Sequence, residues 1–168
     1  YPTNIGIFGE YIVIVKSHEI KNKDILKFRF FLVYGENEGL KKDVINKIRN
    51  RNGFKEIKYE ESQILNNKSE FYNEVNNRSL FDEKKTYLIE RCSDKISEII
   101  LDFIDKDIED QIIINCGILE KKSKLRNILE KSTKTIVIPT YKDNIQSLID
   151  IAKSFFTEKK ISVSYETL

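Results

Sequence analysis

Strand-like runs of apolar residues alternate along this chain with segments that carry apolar residues at helical spacing, and this alternation restricts the fold more than any other feature. Residues 111–115 read Gln-Ile-Ile-Ile-Asn, and a run without polar alternation indicates a strand buried on both faces. The predicted strands are residues 27–34, 54–59, 85–90, 111–115 and 135–138, the last of them closed by Pro139. The predicted helices are residues 40–51, 69–75, 96–104 (after Ser93 as a cap), 122–130 and 144–156.

The connections between the predicted strands are long enough to cross over between parallel neighbours. This pattern predicts an α/β domain with three layers and a parallel central sheet. We expect the domain to span residues 13–140, after an N-terminal extension of residues 1–12. Residues 141–168 are expected to begin a second, small helical domain. The chain contains no methionine, even at its first position, and we interpret it as a piece of a longer protein.

The composition is typical of a globular protein, with 40% hydrophobic and 33% charged residues. The net charge is only +2, so bulk charge predicts weak affinity for nucleic acid. No apolar stretch approaches the ~18 residues of a membrane span. The N-terminal residues lack the basic region of a signal peptide, and we therefore expect a cytoplasmic protein.

The residues that most often bind metals are few. Cys92 and Cys116 fall at the ends of predicted strands, and we expect both to be free, buried thiols in a reducing compartment. His18 is the only histidine and has no cysteine or acidic cluster beside it. The sequence therefore predicts no zinc site and no cofactor.

The turn after the first predicted strand lies where a nucleotide-binding P-loop would be found. A P-loop needs the pattern G-x-x-x-x-G-K-[ST], whose lysine reaches the outer phosphates and whose hydroxyl holds magnesium. Here Gly35 and Gly39 are one residue too close, Leu40 separates Gly39 from Lys41, and no hydroxyl follows. Two glutamates in the turn also place negative charge where phosphates would lie. We therefore interpret the turn as a degenerate P-loop that does not bind ATP.

Several short segments, in order and spacing, resemble the delta subunit family of bacterial DNA polymerase III, the clamp loader. The first is an apolar strand followed by Tyr-Gly-x-Asn, and the second is a Leu-Phe pair before the third strand. A Lys-Ser-Lys-Leu element and an Ile-Pro followed by a helix complete the likeness. These segments are residues 31–40, 79–82, 122–126, 138–139 and 160–162.

This resemblance implies an AAA+-like first domain, of the P-loop NTPase type, that has lost its ATPase residues. It implies that Leu80 and Phe81, beside Ser79, insert into a pocket on the sliding clamp (beta) and open its ring during DNA replication. The implied partners of the full-length protein are the delta-prime and gamma or tau subunits, with primed DNA contacted only indirectly. The chain itself is expected to be a non-catalytic subunit of the DNA-directed DNA polymerase assembly.

The residues of the Leu-Phe segment support an interface on their own chemistry. Leu80 and Phe81 stand alone in the polar stretch 76–85, and neighbouring side chains on a helix lie ~100° apart. At least one of the two is then exposed, as an interface anchor is. The alternative is local packing under a loop, with Ser79 capping a turn.

The basic residues Lys122, Lys124 and Arg126 allow two interpretations. They can contact DNA phosphate in an assembled loader, or they can form the solvated face of a helix. Two other functions also stay open for the whole chain. One is a phosphate- or nucleotide-binding P-loop-like enzyme, although the third strand supplies only Glu90 instead of an acidic pair. The other is a receiver-like signalling domain, disfavoured because the first predicted strand does not end in Asp.

Overall fold

The computed structural model describes residues 13–14, 27–77, 83–106 and 108–142. Its strands are β1 (Val13–Ile14), β2 (Phe30–Gly35), β3 (Lys55–Glu60), β4 (Lys85–Cys92), β5 (Gln111–Cys116) and β6 (Thr135–Thr140). Its helices are α1 (Glu38–Asn52), α2 (Glu61–Asn66), α3 (Lys68–Asn76), α4 (Ser97–Asp105) and α5 (Lys124–Lys131). A 3-10 turn over Asp94–Ile96 precedes α4, and Ser93 caps it as predicted.

The strands form one parallel sheet in the order β1-β6-β2-β5-β4-β3. β2 lies inside the sheet, between β5 and β6, so the turn that follows β2 emerges from the middle of the carboxyl edge. β5 is buried along most of its length, as its lack of polar alternation predicts. The α/β class and the parallel central sheet are confirmed.

Helices cover both faces of the sheet, because successive strand residues point to opposite sides. One face packs against α1, with a core that includes Phe31, Val33, Ile113, Val44 and Ile48. The other face packs against α3, α4 and α5, with a core that includes Leu32, Ile114, Phe71, Phe103 and Leu125. The three-layer arrangement is therefore also confirmed.

Pro139 does not close the last strand, and that prediction was wrong. β6 continues through Pro139 to Thr140 and stays in register with β2. The carbonyl of Thr140 faces the β2 side, where the amide of Asn37 donates to it. The nitrogen of Pro139 therefore faces the β1 side of the strand. In the described part of β1, the pairing with β6 ends at Val137, two residues before Pro139. Among the described residues, the missing N–H therefore removes no ladder bond.

Other helix and strand boundaries also differ from the predicted ones. β2 begins at Phe30 instead of residue 27, because β6, its neighbour, begins opposite it at Thr135. Helix α2 was not predicted, since it is short and begins with Glu60 as an unusual N-cap in a capping box with Gln63.

A bulge distorts the end of β4. Ile89 lies opposite Ile114, but the next pair in register is Cys92 with Cys116, so β4 holds one residue more than β5 over this stretch. Arg91 within the bulge has a φ of 57°, in the left-handed region that non-glycine residues rarely adopt. The bulge turns the side chain of Cys92 to the same face as Ile89.

None of the helices in the described ranges is long and apolar enough to cross a membrane. Several predictions fall on residues outside those ranges. They are the extension 1–12, His18, the segment Ser79–Phe81 with its Leu-Phe pair, the helix 144–156 and most of the second domain expected over residues 141–168.

Candidate functional site

The turn between β2 and α1 lies at the carboxyl edge of the sheet, where α/β proteins bind ligands. Gly35 ends β2 with a φ of 134°, a conformation that favours glycine. A Cβ at this position would collide with the backbone carbonyl of Thr140. The hydroxyl of Thr140 in turn donates to the carbonyl of Tyr34 at 2.9 Å. The turn is therefore packed directly against the end of β6.

Backbone amides of the turn, which a P-loop would offer to phosphate, donate to protein oxygens instead. The amide of Gly35 donates to the carbonyl of Gly117 at 3.0 Å, and the amide of Asn37 to the carbonyl of Thr140 at 3.3 Å. Asn37 is also the N-cap of α1, and its side-chain oxygen accepts from the amide of Leu40 at 3.0 Å. Three amides of the turn, those of Gly35, Asn37 and Leu40, are therefore already occupied and are not available to a phosphate.

Lys41 is directed into the protein. Its side chain is buried, and its ammonium group donates to the carbonyl of Cys116 at 2.9 Å. The same group lies 2.6 Å from a carboxylate oxygen of Glu38, which is itself exposed. Lys41 thus links α1 to the end of β5, and its charge is balanced by Glu38.

Gly39, the second glycine of the degenerate loop, has no special conformation. It lies in the first turn of α1, and an added Cβ would come no closer than 3.7 Å to the side chain of Asn37. A need for the conformational freedom of glycine therefore does not explain Gly39. Of the two glycines, only Gly35 lies where a side chain would collide with the backbone.

Two polar side chains flank the turn at the ends of β4 and β5. The amide of Asn115 donates to a carboxylate oxygen of Glu90 at 2.7 Å. The amide oxygen of Asn115 is buried and has no hydrogen-bond partner within the described part of the chain. Sequence reasoning noted Glu90 but missed Asn115, because only the strand order brings the two ends together.

Arg126 also takes part in internal contacts near the turn. Its guanidinium lies 5.1 Å from the ring centre of Tyr34 and bonds to Glu130 at 2.7 Å. Burial, followed by a hydrogen bond with Tyr141, raises the pKa of Tyr34 well above its usual value. Burial alone would lower the pKa of Arg126, but the hydrogen bond with Glu130 outweighs this, with help from Tyr34 and Tyr141, and leaves the pKa raised. Arg126 is thus a largely buried part of the fold.

Lys122 and Lys124 lie at the surface next to the N-terminus of α5. Lys122 is 86% exposed and lies 2.9 Å from Glu120, and Lys124 lies 3.4 Å from Glu98. Surface pairs of this kind are weak and can open to another partner. Contact of Lys122, Lys124 and Arg126 with DNA stays a prediction, and of the three only the two lysines are well exposed.

The N-terminus of α5 is occupied by the carboxylate of Asp94, from the 3-10 turn that precedes α4. Asp94 accepts from the hydroxyl of Ser123 at 2.6 Å, from the amide of Leu125 at 3.0 Å and from the amide of Lys124 at 3.2 Å. The hydrogen bond from Ser123 is the main cause of a lowered pKa of Asp94. The Lys-Ser-Lys-Leu element thus has a structural role, which the sequence did not indicate.

The segment with Ser79, Leu80 and Phe81 connects two elements whose facing ends are tied together. Lys85, which begins β4, bonds to Glu74 of α3 at 2.9 Å. The Tyr87 hydroxyl donates to the carbonyl of Glu74 at 3.3 Å, and the amide of Lys85 donates to Asp110 at 2.9 Å. Because the strands are parallel, this connection enters β4 at the amino edge of the sheet, opposite the degenerate loop.

Comparison with known proteins adds little to this geometry. No family model and no curated protein matches the chain. Among solved structures, the chain is similar to one described as the crystal structure of the DnaC helicase loader. The two share 12% sequence identity over 72% of this chain and 84% of that chain, with a TM-score of 0.36. The α/β class is evident from the sheet itself, and so distant a likeness carries no information about function.

Proposed function

We propose that this chain is the N-terminal part of a clamp-loader delta subunit, which binds the sliding clamp of DNA polymerase III and opens its ring without hydrolysing ATP. The family resemblance supplies the identity of the partner. One structural observation carries the non-catalytic part of the proposal: Lys41 of the degenerate loop donates to the carbonyl of Cys116 instead of facing the solvent.

A bound phosphate would have to displace several of these contacts at once. Freeing Lys41 would leave the carbonyl of Cys116 buried without its donor, at a cost of about 1–3 kcal/mol. Freeing the amide of Leu40 would remove the cap of α1, at a cost of about 1 kcal/mol. Glu38 would then face the phosphate as a like charge. These costs favour a loop that holds the domain together over one that binds nucleotide.

The placement of the Leu-Phe segment agrees with a binding function. It follows α3 and precedes β4, and the Lys85–Glu74 ion pair fixes these two elements to each other. A connection between fixed ends loses less conformational entropy when it binds. We propose that Leu80 and Phe81 anchor the clamp and that Ser79 belongs to the same contact.

The alternative, a phosphate-using enzyme with an atypical loop, would use the opposite edge of the sheet. It would require Lys41 to leave Cys116, together with a role for the Glu90–Asn115 pair at the end of β4 and β5. The unpartnered amide oxygen of Asn115 favours a polar ligand at that edge. The occupied donors of the turn oppose a phosphate in the same place.

Titration calorimetry with two ligands separates these functions. The chain is titrated with purified sliding clamp and, separately, with Mg-ATP. The proposal predicts saturable binding of the clamp and no saturable heat with Mg-ATP. Binding of Mg-ATP without binding of the clamp would support the enzyme alternative, and no binding of the clamp at any accessible concentration would contradict the proposal.

A further inference from the structure

The two cysteines of the chain lie directly opposite each other on neighbouring parallel strands. Cys92 of β4 and Cys116 of β5 are partners in register, and both side chains belong to the core on the same face of the sheet. Adjacent strands are about 4.8 Å apart, which is within the separation of the Cα atoms in disulfides. Both cysteines are free and buried, with exposed fractions of 5% and 1%.

This pairing depends on the bulge at Arg91. Without the extra residue in β4, side chains two apart would share a face, and Cys92 would point away from the face that holds Ile89 and Cys116. Arg91 adopts a strained left-handed conformation to make the bulge. The strained conformation of Arg91 thus places Cys92 on the same face of the sheet as Cys116.

We propose that Cys92 and Cys116 form a redox-sensitive pair that closes into an intramolecular disulfide when a hydroperoxide oxidises the folded protein. One thiol sulfur attacks a peroxide oxygen, the O–O bond breaks, and the products are a sulfenic acid and an alcohol, or water when the oxidant is hydrogen peroxide. The sulfur of the other cysteine then attacks the sulfenic sulfur, the S–S bond forms, and the hydroxyl leaves with the thiol proton as water. Two electrons pass from the two sulfurs to the peroxide.

Burial makes the pair selective for small oxidants. Burial, followed by the hydrogen bond with Cys116, raises the pKa of Cys92 well above its usual value, so the thiolate population is small. The first step is therefore slow. The second step is fast, because the partner cysteine lies directly opposite on the neighbouring strand, so a sulfenic acid on either cysteine meets it before another oxidant arrives.

The experiment treats the whole chain with hydrogen peroxide under native conditions, blocks the remaining thiols by alkylation and maps the peptides by mass spectrometry. We expect a monomeric product that has lost two hydrogens and links the Cys92 and Cys116 peptides. Dithiothreitol should reverse it. The melting temperature of the oxidised protein should rise by about 5 °C or more, because a disulfide across this loop restricts the unfolded chain.

The variants Cys92→Ser and Cys116→Ser are matched controls, and neither should gain thermal stability with peroxide. A parallel reaction in guanidinium chloride tests whether the native contact matters even if a variant fails to fold. In the denatured chain the disulfide should form more slowly after the first cysteine is oxidised. Further oxidation of the sulfenic acid to sulfinic acid should then compete with disulfide formation. The peroxide concentration is one that fully oxidises the denatured chain. The proposal would be overturned if the native protein then gave sulfinic acid, intermolecular dimers or unreacted thiols. This result would leave the proposal of clamp binding unaffected, because clamp binding is assigned to Leu80 and Phe81.

Discussion

The ammonium group of Lys41, at the start of α1, lies 2.9 Å from the backbone carbonyl of Cys116, at the end of β5. The contact joins residues 75 positions apart and is buried. A lysine at this place in a P-loop serves a nucleotide, whereas here it satisfies a carbonyl of the sheet. The Lys41 side chain therefore stabilises the fold by joining α1 to the end of β5.

Removal of this contact should affect stability. We expect Lys41→Ala to lower the free energy of unfolding by about 2 kcal/mol, because the Cys116 carbonyl loses its buried donor. The neighbouring Lys42 is exposed, and Lys42→Ala should change the free energy by less than about 0.5 kcal/mol. Urea unfolding of the two variants makes the comparison. Equal stabilities would show that the contact contributes nothing.

We expect no saturable heat when Mg-ATP is titrated into the chain. The physical reason is that the amides of Gly35, Asn37 and Leu40 already donate to protein oxygens. The Lys41→Ala variant should give the same flat titration as the parent protein. A heat that saturates in the parent and disappears in the variant would mean that Lys41 leaves Cys116 to bind phosphate.

The two glycines of the turn should respond in opposite directions to the same substitution. Gly35→Ala should destabilise the protein by about 3 kcal/mol, because the new methyl group collides with Thr140 and φ is unfavourable. Gly39→Ala should be neutral or stabilising by up to about 1 kcal/mol, since Gly39 is helical and has room. Thermal or urea unfolding measures both. Similar losses in the two variants would contradict the described turn.

Asp94 should make stability depend on pH in the acidic range. Its pKa is lowered in the folded state, mainly by the Ser123 hydrogen bond, so its contribution is present above the unfolded pKa and is lost as pH falls through the folded pKa. Asp94→Asn should cost about 1 kcal/mol near pH ~7, and this cost should shrink as the pH falls through the lowered pKa of folded Asp94.

The matched control for Asp94 is Asp43→Asn, which removes a surface pair with Lys47 and should cost at most about 0.5 kcal/mol. Urea unfolding at several pH values gives the difference for each variant. A loss in Asp94→Asn that stays constant from neutral to acidic pH would show that the carboxylate charge is not what stabilises α5.

The Leu-Phe pair should carry most of the affinity for the clamp. Truncating an interface anchor costs about 2 kcal/mol or more, so Leu80→Ala combined with Phe81→Ala should weaken clamp binding by about a hundredfold or more. Ile118 is 72% exposed at the opposite edge of the sheet, and Ile118→Ala should leave clamp binding unchanged. Calorimetry or surface plasmon resonance gives the affinities.

Thermal melting of the same variants must show that they are folded. A double variant that melts like the parent protein and binds the clamp equally well would remove Leu80 and Phe81 from the interface. A loss of binding in Ile118→Ala instead would place the clamp at the carboxyl edge.

Local patterns in the sequence predict the elements well, because strand and helix periodicities depend on neighbouring residues. The apolar run at β5, the helical spacing in α1 and the cap at Ser93 were all predicted correctly. The continuation of β6 through Pro139 was not, because it depends on which side of the strand is paired. The same holds for the site. The lack of a P-loop pattern can be read from neighbouring residues, whereas the contact of Lys41 with Cys116 depends on how distant parts of the chain pack.

Contacts between strand ends could not be predicted from the spacing of residues. Glu90 with Asn115 and Cys92 with Cys116 become neighbours only through the strand order, and the second pair also requires a bulge. Similarly, Asp94 caps a helix that begins thirty residues later in the chain, and only the packing of α4 beside α5 brings them together.

The position of β2 between β5 and β6 has a consequence for the order of folding during synthesis. β2 is made before both of its neighbours, and the Thr140–Tyr34 hydrogen bond joins residues 106 positions apart. In a growing chain both edges of β2 therefore stay unpaired until β5 has been made, and the edge that faces β6 stays unpaired until Thr140 has left the ribosome. Such high contact order slows folding and leaves an apolar strand open to intermolecular pairing during synthesis.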